Sequence, residues 1–473
     1  MNTIINEDCI SFKDLEKNIF NIICGIGRDI TKRFLEGYDD LLLKERDKAA
    51  YRNKGKRKTT IKTVYGEVTY SRRIYEVTRE SGLKEFVYLL DEQLKIPGIG
   101  LISQNMAEHM VSMITESSYR EVAKEISETT GQAISAMGVW NVIQSLGEKV
   151  CEDEEELVKA HKAGCICGET VSPVLFEEAD GVHVRLQREK QDSGEIKVGL
   201  AYDGWKPEGK NRFSLDNKVV VAGFAKSKEF QQFREAAIAE KYNTDEIEVR
   251  LMNADGSEWI KNICDSNTIF QLDPFHRNKA VKENIPYPKA AKEVMRLLDA
   301  KDLDGMFEYL EMYRNSLSDD KEIEKVERLI TYFKNNRYGL LSYVEKGIIL
   351  PEHPKGLIYR NMGTMENHIW STIARRMKHN HTCWSLKGGN HLAKILAKKC
   401  SGRLGDVTEK LKVHCFEAGK TEQVKAEILS AASAPKKDGK GYRYPVEGHL
   451  VRLENCSGIT RQMFLGILNG GTA

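Results

Sequence analysis

Three acidic residues stand where a carboxylate can do chemistry. Asp180 closes the run VLFEEAD (174–180) and is followed by Gly181, and Asp255 closes EIEVRLMNAD (246–255) and is followed by Gly256. Glu366 heads a stretch in which Ile369, Trp370, Ile373 and Met377 follow at helical spacing. Its side chain therefore leans toward an apolar face, away from bulk water. A desolvated carboxylate is costly unless it is paired or binds a cation. Three of them meeting at one sheet edge would repel one another, and two Mg2+ ions, with Mn2+ as a substitute, would remove that repulsion through oxygen ligands. Ions held in this way can activate a water and stabilise a leaving 3′ oxygen during in-line displacement at phosphorus. Taken singly, each acid has a plainer reading. Asp-Gly usually makes a turn, and an acid in the first turn of a helix is favoured by the dipole. Asp203-Gly204 is another turn of that kind and is set aside.

Such acids need a sheet and helices to position them, and the pattern from residue 171 supplies both. VSPVLFEEADGVHVRLQ (171–187) holds an apolar run, an acidic turn and then strict alternation, while EIKVGLAYDGW (195–205) and KVVVAGF (218–224) read as further strands. EFQQFREAAIAEKY (229–242) reads as a helix and EIEVRLMNADGSEW (246–259) as a strand ending at Asp255. NTIFQLDPFHRNKAV (267–281) reads as a strand running into a helix. That order implies a mixed α/β sheet. Residues 277–360 read as mostly helical, and a last helix begins near Met365. The tail from 401 carries a polar stretch at 433–445.

The N-terminal third points to another task. Residues 1–50 look helical and amphipathic, and the tract KERDKAAYRNKGKRK (44–58) holds eight Lys/Arg against two acids. TTIKTVYGEVTYSRRIYEV (59–77) reads as a β-hairpin interrupted by Gly66. A basic loop beside a basic hairpin can neutralise phosphates and release counterions, or it can be a solvated face. On the first reading Arg52, Lys54, Lys56, Arg57 and Lys58, with Lys62, Arg72 and Arg73 on the hairpin, contact DNA backbone. Further on, Ser118-Tyr119-Arg120-Glu121 fits a capping box, Gly131 marks a turn and Ser135 caps a second helix. This matches both a helix-turn-helix that reads DNA and a plain packed hairpin. In the first case Asn141 and Gln144, beside Trp140, lie on or near the free face of the second helix. Arg375, Arg376 and Lys378 fall on the less apolar side of the helix after Glu366, to meet phosphates or solvent.

The chain of 473 residues is 41% hydrophobic and 30% charged, which allows two to four soluble domains. Its net charge of +2 argues neither for nor against nucleic acid as a whole. No apolar run approaches the ~20 residues that cross a bilayer, and the start lacks the pattern of a secretory signal. The expected place is the cytoplasm, associated with the nucleoid. Of ten cysteines only Cys165 and Cys167 are closely spaced, a weak zinc signal, so free thiols are expected.

Four stretches carry a family likeness: EEADGVHV (177–184), NADGSEW (253–259), QLDPFHRNKA (271–280) and GTMENHIWSTIARRMKHNHTCWS (363–385). On these the chain resembles bacterial insertion-sequence transposases of the ISLre type, which look like distant relatives of the Mutator-like DDE transposases. The resemblance implies an RNase H-like catalytic domain (166–276 and 361–400) with an all-helical insertion (277–360). Before it come an N-terminal region with the basic tract and hairpin (1–100) and a helix-turn-helix-like module (101–165), and after it a C-terminal region (401–473). Asp180, Asp255 and Glu366 then match the catalytic, metal-binding triad. Asp273-Pro274-Phe275-His276 looks like the Cys/Asp-x-x-His motif that follows the second aspartate, which makes Asp273 a rival metal ligand for Asp255. His276 would orient DNA or an acidic ligand. The implied activity is metal-dependent strand cleavage at the ends of an insertion sequence and transfer of the freed 3′-OH to target DNA. The implied partners are terminal inverted repeats, target DNA and further copies of the chain. Two other readings stand beside it. A transposase-derived protein that only binds DNA is disfavoured by the presence of all three acids. Another RNase H-like nuclease would not need the N-terminal basic module or the long insertion.

Overall fold

The computed structural model describes residues 11–79, 82–94, 101–261, 264, 267–379, 382–409 and 422–426, with only the backbone of Lys261, Glu366 and Trp370. The polar stretch at 433–445 lies outside the described residues. The chain forms two compact units, one of residues 1–114, 118–142 and 411–473, the other of 115–117 and 143–410.

In the first unit, helix α1 (Phe12–Glu45) starts at Ser11, whose hydroxyl accepts the Asp14 N–H. Its second half buries Leu35, Tyr38 and Leu41 with Ile61, Val68 and Tyr70 of a hairpin. That hairpin is β1 (Arg52–Thr63) and β2 (Gly66–Thr78), extended by β3 (Lys84–Val87) in the order β1-β2-β3. Gly66 opens β2 at a φ of +121°, which a residue with a Cβ rarely adopts. The basic tract is not a loop beside this hairpin, as expected, but half of it is the hairpin. β1 already pairs at Arg52↔Glu76. Acids of neighbouring elements balance its charge and keep the extended backbone paired, with Lys54 2.8 Å from Glu76 and Lys56 3.5 Å from Asp40.

Then come α2 (Leu89–Leu94), α3 (Gln104–Ile114), α4 (Tyr119–Thr130) and α5 (Ala136–Lys162). Ser118 and Glu121 close the capping box on α4, and Gly131 ends it with a φ of +67°. Val139, Val142, Ile143 and Leu146 of α5 are buried, as their spacing requires. The boundary between the units falls inside α5.

The second unit holds β4 (Val174–Arg185), β5 (Ser193–Tyr202), β6 (Trp205–Gly209), β7 (Arg212–Leu215), β8 (Val219–Gly223), α6 (Ser227–Lys241), β9 (Val249–Ala254), α7 (Glu258–Lys261), β10 (Thr268–Leu272) and α8 (Pro274–Asn284). Its five-stranded sheet has the order β10-β9-β4-β5-β8. β4, β9 and β10 are parallel, while β5 and β8 are antiparallel to their neighbours. The fold is mixed α/β. The run 195–205 is not one strand, because the chain breaks at Asp203-Gly204, where Gly204 has a φ of +155°, and Trp205 starts the separate β6–β7 hairpin.

Helices α9 (Pro288–Asp299), α10 (Leu303–Ser316) and α11 (Asp320–Asn335) pack with α8 on a core that includes Val294, Leu298, Leu310, Ile330 and Phe333. Helix was expected as far as 360, but after Asn335 only a single 3-10 turn at Arg337–Gly339 is helical before residue 365. Gly347 and Gly356, at φ of +68° and +90°, and Pro351 and Pro354 keep this stretch out of regular structure. The chain ends its described course with α12 (Met365–Ile369), a π-helical turn (Trp370–Ala374), α13 (Arg375–Met377), α14 (Leu386–Cys400) and α15 (Leu404–Glu409). Among the described residues the cysteines are free, and no helix is long and apolar enough to cross a membrane.

One buried ion network ties α6 to the sheet. Glu177, 1% exposed, accepts from Arg234 at 2.6 Å and from Arg250 at 2.7 Å, and both arginines also bind Glu235. Removing one partner of such a network strands the others in a dry setting. Glu177→Ala is expected to destabilise the protein by about 3–5 kcal/mol in urea unfolding. A loss under ~1 kcal/mol, the size of an exposed pair, would contradict it.

Candidate active site

Strand register decides which side chains meet. Across β4, β9 and β10 the parallel ladder runs Glu178↔Asn253↔Gln271 and then Ala179↔Ala254↔Leu272. The next residues along the three strands are Asp180, Asp255 and Asp273. They emerge at the carboxyl ends of adjacent parallel strands, where open α/β sheets hold their ligands. Asp180 does not end its strand, as expected from the sequence. β4 continues to Arg185 against β5, and what stops at residue 179 is the pairing with β9.

Helix α8 begins directly after Asp273, and its first turn brings His276 over the acids. The His276 Nε2 lies 3.4 Å from Asp180 Oδ2 and 4.0 Å from Asp273 Oδ2. The hydrogen bond to Asp180 raises the imidazole above its usual pKa, the charges of Asp180, Asp273 and Asp255 add to it, and burial opposes it. Burial pushes the Asp273 carboxyl up, against a 3.2 Å bond from the Asn253 amide. Asp255 accepts the Ser257 N–H at 2.8 Å, and its carbonyl accepts the Tyr332 hydroxyl of α11 at 2.7 Å. The helical insertion thus anchors the loop that carries Asp255.

Glu366 lies in the first turn of α12, and its side chain is outside the described residues. Its backbone is placed by Glu178. Thr364 donates to that carboxylate from its N–H at 3.0 Å and from its hydroxyl at 2.6 Å, and the Met365 N–H donates at 3.0 Å. The Tyr202 hydroxyl at 2.8 Å and the Asn253 amide at 3.1 Å complete the shell. Glu178 precedes Asp180 by two residues and so shares its face of β4. Burial pushes the Glu178 carboxyl up while these donors pull it down. Sequence reasoning missed Glu178, although the signal was present: two glutamates between Phe176 and Ala179 of an apolar strand must both be partnered.

Among the described residues, no group of three or more His, Cys, Asp or Glu side chains is arranged to hold a metal ion. The donor chemistry still fits a hard divalent cation, since Asp180, Asp255 and Asp273 leave adjacent parallel strands at the same level and offer carboxylate oxygens.

A family sequence profile matches residues 5–412, which takes in the sheet, the acids, the helical insertion and the helix pinned by Glu178. The chain belongs to the Uncharacterised protein family (UPF0236). No curated protein matches it.

The basic candidates of this UPF0236 chain divide into exposed and inward-facing groups. Arg52, Lys54, Lys56, Arg57 and Lys58 are exposed along β1, and half-buried Lys62 lies 3.0 Å from Glu67. Arg72 and Arg73 do not face solvent as expected. Arg72 shares the inward register of Val68 and Tyr70 on β2, so it is buried, bound to Asp91, with its guanidinium 3.9 Å from the Tyr88 ring. Arg73 binds Asp39 at 2.6 Å and Asp40 at 2.5 Å. Gln144 is also not on a free face. Gly147 lets His391 of α14 approach α5, and Gln144, one turn earlier, is buried with its amide oxygen 2.8 Å from that imidazole. Asn141 is half-buried and Trp140 exposed. Arg376 is buried beside the Trp384 ring because the π turn before it rotates the residues that follow, while Arg375 and Lys378 remain exposed.

Glu178 acts through α12, so its loss should be read there first. In Glu178→Ala the amides of Thr364 and Met365 are expected to exchange with solvent about 5–150-fold faster, equivalent to about 1–3 kcal/mol. Unchanged exchange at both amides would mean that the carboxylate does not hold this helix.

Proposed function

We propose that this chain is a DDE-type DNA transposase of the ISLre kind, cutting and rejoining the ends of an insertion sequence with an RNase H-like catalytic unit. The observation that carries the reading is the shared register of Ala179, Ala254 and Leu272, which brings Asp180, Asp255 and Asp273 out at one edge. Support for the fold comes from a sheet whose first strand, β4, is central, with two antiparallel strands on one side and two parallel strands on the other. Support for the third acid comes from the bonds that tie Thr364 and Met365 to the strand of Asp180.

Asp180, Asp255 and Glu366 would hold two Mg2+ ions, or Mn2+ in their place, with Asp273 as the rival for the position of Asp255. Such ions supply activation of water and neutralisation of charge at phosphorus when bound. The chain's own residues do the positioning. His276 holds the Asp180 carboxylate in one orientation, Tyr332 fixes the backbone of Asp255, and Glu178 fixes the helix of Glu366. Hydrolysis followed by attack of the freed 3′-OH needs no covalent protein–DNA intermediate, so no serine or tyrosine nucleophile is required. Exposed Arg52, Arg57 and Lys58 would meet DNA phosphates. Bridging two DNA ends calls for a homo-oligomer, and a protein working on chromosomal DNA would sit with the nucleoid.

The test uses the full chain and labelled duplexes ending in the inverted repeats that flank its gene. Asp180→Asn and Glu366→Gln should each lower cleavage by about 100-fold or more while leaving duplex binding in place. His276→Ala should cost about 10–100-fold. Chelation should abolish cleavage and added Mg2+ or Mn2+ restore it. Cleavage that survives both acid substitutions, or that ignores chelation, would overturn the reading.

A further inference from the structure

Past the π turn that follows α12, basic side chains gather around a cavity of about 270 Å³ within the second unit. Arg375 and Arg376 come from α13, Lys399 from the last turn of α14, and Lys218 from the residue before β8. Against these four cations the lining offers one acid, Glu116. Ser371 and Thr372 add hydroxyl groups to the wall.

Glu116 already occupies two of these cations. Its two carboxylate oxygens are divided between Arg375 and Lys399, one oxygen to each cation. Lys399 also donates to the Thr115 hydroxyl at 2.7 Å. These bonds, that of Lys399 first, hold the Glu116 carboxyl below its usual range. An arginine and a lysine sharing an oxyanion, with hydroxyls nearby, is the donor set that phosphate recognition uses. The Glu116 carboxylate has two oxygens, and Arg375 and Lys399 already take them. A phosphate brings as much or more charge, and further oxygens to accept from Lys218 and the hydroxyls.

We propose that this cavity binds a phosphate group and that Glu116 is the internal carboxylate it displaces. The phosphate has two sources of the same chemistry, the backbone of a DNA strand or a free phosphate. The DNA source rests on the function proposed above, and the free source does not.

The experiment uses the full chain and compares thermal unfolding in inorganic phosphate and in chloride at matched ionic strength. Phosphate stabilises folded proteins in general, so the quantity read is the shift in the parent minus that in Arg375→Gln/Lys399→Gln. Phosphate should raise the midpoint in the parent more than in the double variant, and Glu116→Gln should enlarge the response because the competing carboxylate is gone. A purely structural Glu116 gives the opposite result, a lower midpoint with an unaltered phosphate response, and overturns the proposal. The Glu116→Gln arm stands by itself should the double variant fail to fold. Salt titration of duplex binding then reads the source. Arg375→Gln should lower the slope of log K against log salt by about 1 if the phosphate belongs to DNA. A phosphate response with an unchanged slope assigns the free source, and a changed slope assigns the strand. Absence of both responses overturns the proposal. Cleavage by the parent is read separately, so a failed pocket leaves the transposase reading standing, and a parent that binds phosphate but never cleaves leaves the pocket standing.

Discussion

Parallel pairing of β4, β9 and β10 puts three carboxylates on one edge. Strands lie about 4.8 Å apart, so once Ala179, Ala254 and Leu272 are in register the acids that follow are near neighbours. Two unit charges about 5 Å apart repel by roughly 3 kcal/mol at an effective dielectric near 20. Three acids on consecutive strands make two such neighbouring pairs at one place. It offsets part of it with the His276 imidazole beside Asp180 and the Asn253 amide on Asp273. A sheet selected for stability alone would put apolar or neutral residues there.

One row below the acids, the same register builds a polar platform. Glu178, Asn253 and Gln271 stand side by side on adjacent strands. Asn253 donates to Glu178 and Asp273, Gln271 donates to Asn253 at 2.8 Å, and the Tyr343 N–H donates to Gln271 at 3.2 Å. Buried polar groups rigidify a structure when they are satisfied and destabilise it when they are not. Through this row, segments far apart in the chain, at 178, 253, 271, 343 and 364, are fixed to one another. The acids above it gain a support that does not depend on loops.

The sequence shows the acids more readily than their support. Asp180 and Asp255 are visible because each closes an apolar run and precedes glycine, and α8 is visible because Pro274 favours a helix start. That Glu178 needs partners is visible, but which ones is hidden, because Thr364 and Met365 are linked to residue 178 by no spacing rule. Arg72 and Gln144 mislead for a related reason. Each is a polar residue on a face that covers a partner, Asp91 for one and His391 for the other, and partners distant in sequence leave no local pattern. The lack of helix around 347–356 was written in the chain, in its glycines and prolines, but the charged residues around them disguised it.

The π turn at Trp370–Ala374 follows from fixed points on both sides of it. Upstream, Glu178 holds Thr364 and Met365 and so sets the phase at which the helix leaves the sheet. Downstream, the Trp384 indole donates to the Met377 carbonyl at 2.9 Å, and Arg376 lies beside the same ring. A regular α-helix advances 100° per residue, so two anchors a dozen residues apart agree only if the length between them suits that angle. One wider turn absorbs the mismatch without breaking the helix, and such turns are frequent at functional sites. Here it divides one short helix into two ends with different surroundings. The end that carries Glu366 is tied to the strand of Asp180, and the end that carries Arg375 and Arg376 is turned toward a cavity of its own.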